Sequence, residues 1–210
     1  GNNDFKATVP STAGNYIVKA TIAETANYQG AEATAEFTIA KAAITPTVTL
    51  QGWVFGDEPN TPVVDGNLGD GQVTFTYAAQ GTDQFSTEIP TAAGKYVVKA
   101  TIAETENYLG GEATAEFTIE KVWLLVNGIK VTEQHRRDIL NDNGSVTFNG
   151  NDKLVLTQAT INGDIQSYID KLVVYLKEDN KINGSIIGEQ SELVFTTDGN
   201  SPGKLAIQTE

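Results

Sequence analysis

The chain has 210 residues and carries 14 Lys and Arg against 27 Asp and Glu, so its formal net charge is −13. A chain this acidic repels phosphate groups, and we therefore expect neither a nucleic acid nor an anionic membrane surface as a partner. The absence of Cys excludes disulfides, thiolate-bound metals and a cysteine nucleophile. Hydrophobic residues make up 40% of the sequence, which is enough for one large or two small cores.

The start of the chain shows no signal-peptide pattern, because it begins with Gly1 and no apolar h-region follows. No apolar run reaches the roughly 18 residues that indicate a membrane-spanning helix. We therefore expect an excised or processed piece that inserts into no membrane, with its signal and anchor removed.

An internal repeat organises the first half of the chain. Residues 9–39 recur as residues 89–119 without insertion or deletion, and within them residues 19–25 and 33–39 recur letter for letter 80 residues later. The second copy is preceded by strand-like sequence that the first copy lacks. We therefore predict a half repeat, residues 1–41, that corresponds to the back half of a domain.

The complete repeat, residues 42–121, has the pattern of an antiparallel β-sandwich. Apolar residues alternate with polar ones around Tyr96–Ile102 and Ala113–Ile119, which predicts strands with one buried face. Additional short strands are predicted before them, with Trp53 and Phe55 in the core, separated by turn-forming Asp-Gly and Pro-Asn pairs. Several short strands without a helical period predict an all-β fold.

The strings Pro-Thr-Ala-Ala-Gly-Lys-Tyr-Val-Val-Lys-Ala-Thr-Ile-Ala-Glu-Thr-Glu-Asn-Tyr (90–108) and Ala113–Ile119 resemble the bacterial immunoglobulin-like, MBG-type repeats of large modular surface proteins. The resemblance covers residues 1–121. It implies a stalk or adhesin module on the bacterial cell surface, with an Ig-like fold and no catalytic residues of its own.

Residues 122–210 follow a different pattern. Asn127-Gly128 stands between two apolar segments, which is a strong signal for a β-hairpin. The motif Ile161-Asn-Gly recurs as Ile182-Asn-Gly, and Leu172-Val-Val recurs as Leu193-Val-Phe, both 21 residues later. A shared offset of this size predicts a short parallel β-solenoid of two or three coils.

The opening of this region, Val-Trp-Leu-Leu-Val-Asn-Gly-Ile-Lys-Val-Thr (122–132), resembles carbohydrate-binding, β-helix-like domains of gut-bacterial surface proteins. Three aromatic residues are candidates for stacking on sugar rings if they are exposed, with the core as their alternative location: Trp123, Tyr168 and Tyr175. Arg136 and Arg137 are candidates for binding a carboxylate or sugar acid, with solvent exposure or a local pairing with Asp138 as the alternative.

The sequence favours no catalytic site and no cofactor. His135 is the only histidine, which excludes a site built on two imidazoles, and we expect it in a solvated turn. The carboxylates of the C-terminal region show no face-sharing pair by spacing: Asp164, Asp170, Glu178, Asp179, Glu189 and Glu192. The segment Asp65–Gly71 lacks the ligand pattern of a calcium loop and predicts two Asp-Gly turns, with Ca²⁺ as the alternative.

Together these features predict a non-enzymatic, extracellular, modular protein of the bacterial cell surface, in which Ig-like modules present a C-terminal β-solenoid that contacts a ligand. The expected partner is a host or dietary glycan or a surface protein. The alternatives are a carbohydrate-binding module of a polysaccharide-utilising system and, third, a β-helix lyase or hydrolase.

The half repeat also predicts an interaction, because it carries two strands with apolar faces but not the strands that would cover them. Uncovered faces and open strand edges recruit other chains. We expect residues 1–41 to dock on the complete repeat or to form a homo-oligomer with the same segment of a neighbouring molecule. The alternative is a boundary that cuts through a domain, with any contact accidental.

Overall fold

The computed structural model describes residues 5–188, 191–197, 199 and 203–208, and within these ranges the chain is all-β and contains no helix. The strands are β1 (Gly14–Ile22), β2 (Ala31–Ile39), β3 (Thr47–Thr49), β4 (Trp53–Val54), β5 (Val63–Asp65), β6 (Val73–Ala79), β7 (Gly94–Ile102), β8 (Gly111–Glu120), β9 (Leu124–Val126), β10 (Ile129–Val131), β11 (Val146–Phe148), β12 (Lys153–Thr157), β13 (Thr160–Ile161), β14 (Ile165–Ser167), β15 (Lys171–Lys177), β16 (Asp179–Ile182), β17 (Ile186–Gly188), β18 (Glu192–Thr197) and β19 (Lys204–Ile207).

The chain divides into two compact units. The first contains the described residues of Gly1–Gln51, Thr61–Ile89 and Tyr96–Phe117, and the second those of Gly52–Asn60, Pro90–Lys95 and Thr118–Glu210. In order of hydrogen-bonded neighbours, the sheets are β1-β2, β3-β5, β4-β8-β7-β6, β10-β9-β14-β17, β11-β12-β15-β18 and β13-β16-β19. The half repeat therefore forms a sheet of two strands, whereas β7 and β8 of the complete repeat lie in a sheet of four.

Strand pairing in the complete repeat departs from the predicted pattern at one position. β6 and β7 pair antiparallel over seven residues, as expected. β4 pairs parallel with β8, with Trp53 opposite Ile119. The sheet is therefore not purely antiparallel, contrary to the prediction from the sequence. β4 has only two residues, so its short contact with β8 decides its direction. The alternation of apolar and polar residues along β4 carries no information about whether it pairs parallel or antiparallel.

Trp53 is buried, as predicted, but the prediction of a core position for Phe55 is wrong, because its side chain is 50% exposed. Phe55 lies beyond the end of β4, and its N–H donates to the carbonyl oxygen of Glu120 at 2.9 Å. The left-handed Gly56 (φ 82°) follows it. The turn, not the strand alternation, therefore sets the orientation of Phe55.

The hairpin predicted at Asn127-Gly128 is confirmed. β9 and β10 pair antiparallel with Val126 opposite Ile129, which leaves a two-residue turn. Asn127 and Gly128 have φ values of 52° and 76°, and positive φ at both central residues is what a type I′ turn requires.

The C-terminal region consists mainly of parallel ladders. β12, β15 and β18 pair in parallel, as do β13, β16 and β19, and β14 pairs with β17. The register places Ile161 opposite Ile182 and Leu172 opposite Leu193, which are the residues that match at a spacing of 21 in the sequence. Inward residues alternate with outward ones, and the core of this region includes Leu154, Leu172, Val174 and Ile182.

The recurring Ile-Asn-Gly motif has a physical explanation in these ladders. Its isoleucines are fully buried, and its asparagines form a side-chain ladder in which Asn183 Nδ2 donates to Asn162 Oδ1 at 2.7 Å. Its glycines allow close backbone approach, because a Cβ atom added to Gly184 would lie 2.5 Å from the carbonyl carbon of Gly163. Each position of the motif therefore serves the contact between successive turns of the chain.

Asn180 makes the most demanding polar contacts of this region. It is buried, its Oδ1 accepts the N–H of Ala159 at 2.9 Å, and its Nδ2 donates to the carbonyl oxygens of Lys177 and Glu178, both at 3.0 Å. These bonds hold the corner at Glu178, whose φ of 59° is rare for a residue with a side chain. Removal of Asn180 would leave a buried N–H without its acceptor.

We expect Asn180→Ala to lower the free energy of unfolding by about 1–3 kcal/mol, the cost of orphaning a buried hydrogen-bonding group. The matched control is Asn162→Ala, which removes an exposed ladder asparagine and is expected to change stability by about 0.5 kcal/mol or less. Urea denaturation of the three proteins measures both effects. Equal losses for the two variants would show that the contacts of Asn180 contribute no more than an exposed pair.

Candidate functional site

Trp123 lies half-buried just before β9. Its ring is tilted by 48° against that of Phe148, with 5.6 Å between the ring centroids. It packs against the core of the C-terminal region while remaining partly accessible. Of the two locations that the sequence left open for Trp123, the structure shows a position between core and surface.

Tyr168 lies next to Trp123 and is 49% exposed. Its backbone N–H donates to the carbonyl oxygen of Trp123 at 3.0 Å, immediately after the end of β14. The antiparallel register of β14 with β9, Ser167 opposite Leu124, brings the two aromatic residues together. The backbones of an exposed tyrosine and a partly exposed tryptophan therefore lie side by side, and accessible aromatic rings are groups on which a planar or ring-shaped ligand can stack.

Tyr175 lies apart from this pair, on the outward face of β15. Its neighbours in the ladder are Val155 on β12 and Thr196 on β18. Lys153 Nζ lies 3.9 Å from the centroid of the Tyr175 ring, a cation–π contact. One face of the ring is therefore occupied by an ammonium group, and a sugar could stack there only by displacing Lys153.

The two arginines have different surroundings. Arg136 binds Glu133 through Nε at 2.7 Å and Nη2 at 2.6 Å, and this hydrogen bonding lowers the pKa of the Glu133 carboxyl. The predicted pairing of an arginine with Asp138 is therefore not the one that Arg136 makes. Arg137 is exposed.

Asp138 instead organises its own loop. Its Oδ1 accepts the backbone N–H groups of Asp142 and Gly144, each at 3.0 Å. The hydrogen bond from Asp142, together with that from Gly144, lowers the pKa of this carboxyl. The loop after His135 is thus held by hydrogen bonds from backbone N–H groups to the Asp138 carboxylate. His135 itself is exposed in a turn, as predicted.

The structure brings Trp123 and Tyr168 together and leaves Tyr175 on a separate strand. The segment that carries Arg136 is linked to Trp123 through Phe148. The N–H of Phe148 donates to the carbonyl oxygen of Arg136 at 2.6 Å, and the ring of Phe148 packs against that of Trp123. Sequence reasoning missed Phe148 and Lys153. The strand alternation around each of them was the available signal, but no local pattern says which ring an outward lysine will cover.

Two of the acidic residues of the C-terminal region form a hydrogen bond or an ion pair. Asp164 Oδ1 accepts the N–H of Ser185 at 2.7 Å, and Glu192 pairs with Lys171 at 3.1 Å. Glu189 lies outside the described residues. Among the residues that the structure describes, no group of three or more His, Cys, Asp or Glu could hold a metal ion.

The segment considered for calcium forms a loop closed by an amide. Asn67 Oδ1 accepts the N–H of Gly71 at 3.0 Å, and its Nδ2 donates to the carbonyl oxygen of Gly71 at 2.8 Å. Gly66 (φ 80°) and Asp70 (φ 52°) adopt left-handed turn conformations. The turn itself lies between them, at Leu68-Gly69, and not at the two Asp-Gly pairs as the sequence predicted.

Over the part of the chain that the structure describes, we find no helix with the length and apolarity needed to cross a membrane. A family model described as the MBG domain matches the chain in two segments, residues 2–43 and residues 61–122. These segments contain the half repeat and most of the complete repeat. No curated protein and no solved structure shows significant similarity to the chain.

Proposed function

We propose that this chain, which belongs to the MBG domain family, is a non-enzymatic modular protein of the bacterial cell surface. The observation that carries the proposal is the family match over both copies of the repeat. Repeated β-modules joined in series make a protein long, which suits a protein that holds a binding region away from the cell. The extracellular location follows from the same reasoning.

The proposed architecture is an Ig-like β-sandwich followed by a short parallel β-solenoid. The sandwich is supported by the sheets β3-β5 and β4-β8-β7-β6 of the complete repeat. The solenoid is supported by three sets of parallel pairs, in β12-β15-β18, β13-β16-β19 and β14-β17, with matched residues 21 positions apart in Ile161–Ile182, Ile165–Ile186 and Leu172–Leu193. Parallel ladders on several faces of one stack are typical of a solenoid.

The ligand-contact surface is proposed around Trp123 and Tyr168, with Arg136, Arg137 and Tyr175 as further candidates. The exposure of Tyr168 and the hydrogen bond between its backbone N–H and the carbonyl oxygen of Trp123 support this choice. A host or dietary glycan or a surface protein fits such a surface, because aromatic and arginine side chains dominate contact energies at many interfaces. Tyr175 is the weaker candidate, since Lys153 covers one face of its ring.

Two experiments test the location and the absence of catalysis. Antibodies raised against the purified chain are expected to label intact cells of the source organism. Labelling that appears only after lysis would contradict a surface location. Incubation with polysaccharides is expected to release no product, and catalytic release of reducing ends or unsaturated sugars would instead favour a lyase or hydrolase.

The alternative, a carbohydrate-binding module of a polysaccharide-utilising system, is favoured by the exposed ring of Tyr168. On a glycan array, we expect the chain to bind at least one glycan and Tyr168→Ala to weaken that binding at least about tenfold, because an anchoring aromatic side chain is removed. The matched control is Tyr28→Ala, which removes an even more exposed tyrosine from the half repeat and is expected to leave binding unchanged. A chain that binds no glycan would exclude this alternative.

A further inference from the structure

The ends of three neighbouring strands form one row at the candidate ligand surface. Thr132 directly follows β10, Trp123 directly precedes β9, and Tyr168 directly follows β14. The N–H of Trp123 donates to the carbonyl oxygen of Val131 at 3.1 Å, and the N–H of Tyr168 donates to the carbonyl oxygen of Trp123 at 3.0 Å. Trp123 therefore lies between the other two strand ends, at one end of the sheet β10-β9-β14-β17.

A charged turn begins at Thr132, the outer member of this row. The N–H of Arg136 donates to the carbonyl oxygen of Thr132 at 3.1 Å and closes the turn. Within it, Oε1 of Glu133 accepts hydrogen bonds from Nε of Arg136 at 2.7 Å and from Nη2 at 2.6 Å. The guanidinium edge that carries Nε and Nη2 is therefore already paired with a carboxylate.

Arg136 is also held from the opposite side. Its carbonyl oxygen accepts the N–H of Phe148 at 2.6 Å, and the ring of Phe148 lies 5.6 Å from that of Trp123 between centroids. A Cβ atom added to Gly150 would lie 3.4 Å from Cδ and Nε of Arg136, so the arginine side chain packs on the Gly150 backbone. These contacts leave 21% of the Arg136 side chain exposed, against 64% for that of Glu133.

The charges of this turn cancel. Residues 133–138 contain two arginines and two carboxylates, so their formal charge is zero with His135 neutral. The hydrogen bond from Arg136 lowers the pKa of the Glu133 carboxyl, and the charges of Arg136 and Arg137 lower it further. Glu133 is therefore ionised at neutral pH. An acidic ligand would meet this carboxylate on a chain whose formal net charge is −13.

Building on the proposed ligand-contact function, we propose that this surface selects neutral glycans over acidic ones. Trp123 and Tyr168 contact the apolar faces of sugar rings, and the pair of Glu133 and Arg136 bonds to sugar hydroxyls. A hydroxyl both donates and accepts hydrogen bonds, so it can bond to the carboxylate or the guanidinium without separating them. An ionised sugar carboxylate only accepts, and it competes with Glu133 for the same N–H groups.

Arg137 does not reverse this preference. Its side chain is exposed, and its charge acts on Glu133, whose pKa it lowers. A uronic acid that bound Arg137 would therefore bind close to a carboxylate of the same sign. An ion pair with an exposed arginine also contributes little, because water and salt screen it.

The test uses the whole chain and pairs of glycans that differ in their carboxyl groups. The pairs are polygalacturonate and its methyl ester, xylan with and without glucuronic acid, and lactose with and without terminal sialic acid. Biolayer interferometry at about 0.15 M salt measures the affinities. For each pair that binds, we expect the neutral member to bind at least about tenfold more tightly than the acidic one.

Glu133→Gln identifies the group that sets this selectivity. The variant removes the carboxylate at nearly constant size and frees the paired N–H groups of Arg136. We expect its affinity for the acidic glycans to rise at least about tenfold, a gain that a purely structural role of Glu133 would not produce. The matched control is Glu112→Gln, which removes the same charge from the exposed pair with Lys99 and is expected to leave all affinities unchanged.

The outcomes separate the selectivity from the proposed function. Tighter binding of the acidic members by the unmodified chain would overturn the selectivity while preserving glycan binding, and loss of that binding in Arg137→Gln would assign it to Arg137. A Glu133→Gln variant that gains no affinity for acidic glycans would also overturn it. Failure of both proteins to bind any glycan would overturn glycan contact itself. A neutral preference that Glu133→Gln weakens supports the proposal.

Discussion

Phe117→Ala is expected to lower the free energy of unfolding of the complete repeat by about 3–5 kcal/mol, the usual cost of removing a buried aromatic side chain. The ring of Phe117 stacks on Tyr96 at 5.6 Å and meets Tyr77 edge-on at 6.1 Å between centroids. Truncation leaves a cavity between these rings. Native-state hydrogen exchange at the amides of β7 measures the loss locally, without assuming that the whole chain unfolds in one step.

The half repeat supplies the matched control, because Phe37 stands in the same sequence, Ala-Thr-Ala-Glu-Phe-Thr-Ile. Phe37 stacks on Tyr16 and is 38% exposed. Phe37→Ala is therefore expected to cost about 1 kcal/mol, since little additional apolar area leaves contact. Equal losses at the two positions would mean that the face of the half repeat is covered in solution, contrary to the exposures seen here.

Leu154→Ala is expected to destabilise the C-terminal region by about 2–5 kcal/mol. Leu154 is fully buried, and the ladder register places it opposite Phe148 on β11 and Val174 on β15. The side chain is thus enclosed on both sides by its neighbours in the stack, which cannot close around a smaller residue without moving backbone. Urea denaturation followed by circular dichroism measures the change in stability.

Val155→Ala tests whether this cost comes from the core and not from the strand itself. Val155 is the next residue on β12 and is partly exposed on the outward face, opposite Tyr175. Its truncation is expected to cost about 0.5–1 kcal/mol, mainly through lost β-propensity and cross-strand contact. A loss at Val155 as large as that at Leu154 would contradict the assignment of inward and outward faces.

The candidate ligand surface shows which features of a site can be predicted from a single sequence. Aromatic and arginine residues were identifiable as candidates by type, and the neighbourhood of Trp123 was distinguished by the change of pattern near residue 122. The proximity of Trp123 and Tyr168 was not predictable, because it depends on the pairing of β9 with β14, two strands about 40 residues apart in the chain. The same holds for the contact between Lys153 and Tyr175, which lies between different strands.

The features that depend on short-range geometry and on repetition were predictable from the amino-acid sequence. Alternation specified the inward and outward residues of Tyr96–Ile102, the Asn127-Gly128 pair specified a two-residue turn with positive φ, and the 21-residue recurrence specified which residues meet across the ladders. These features are readable because each depends on residues close in the chain or on identical residues that stack.

Which apolar faces are buried depends on contacts between strands that are distant in the sequence. Val18 and Val98 have nearly the same sequence around them, yet one is exposed and the other enclosed. The difference arises from β6, a strand about 20 residues away in the chain that pairs with β7, whereas among the described residues β1 pairs with β2 alone. Burial is a property of what packs against a residue, and the local pattern encodes a face that can be covered without specifying what covers it.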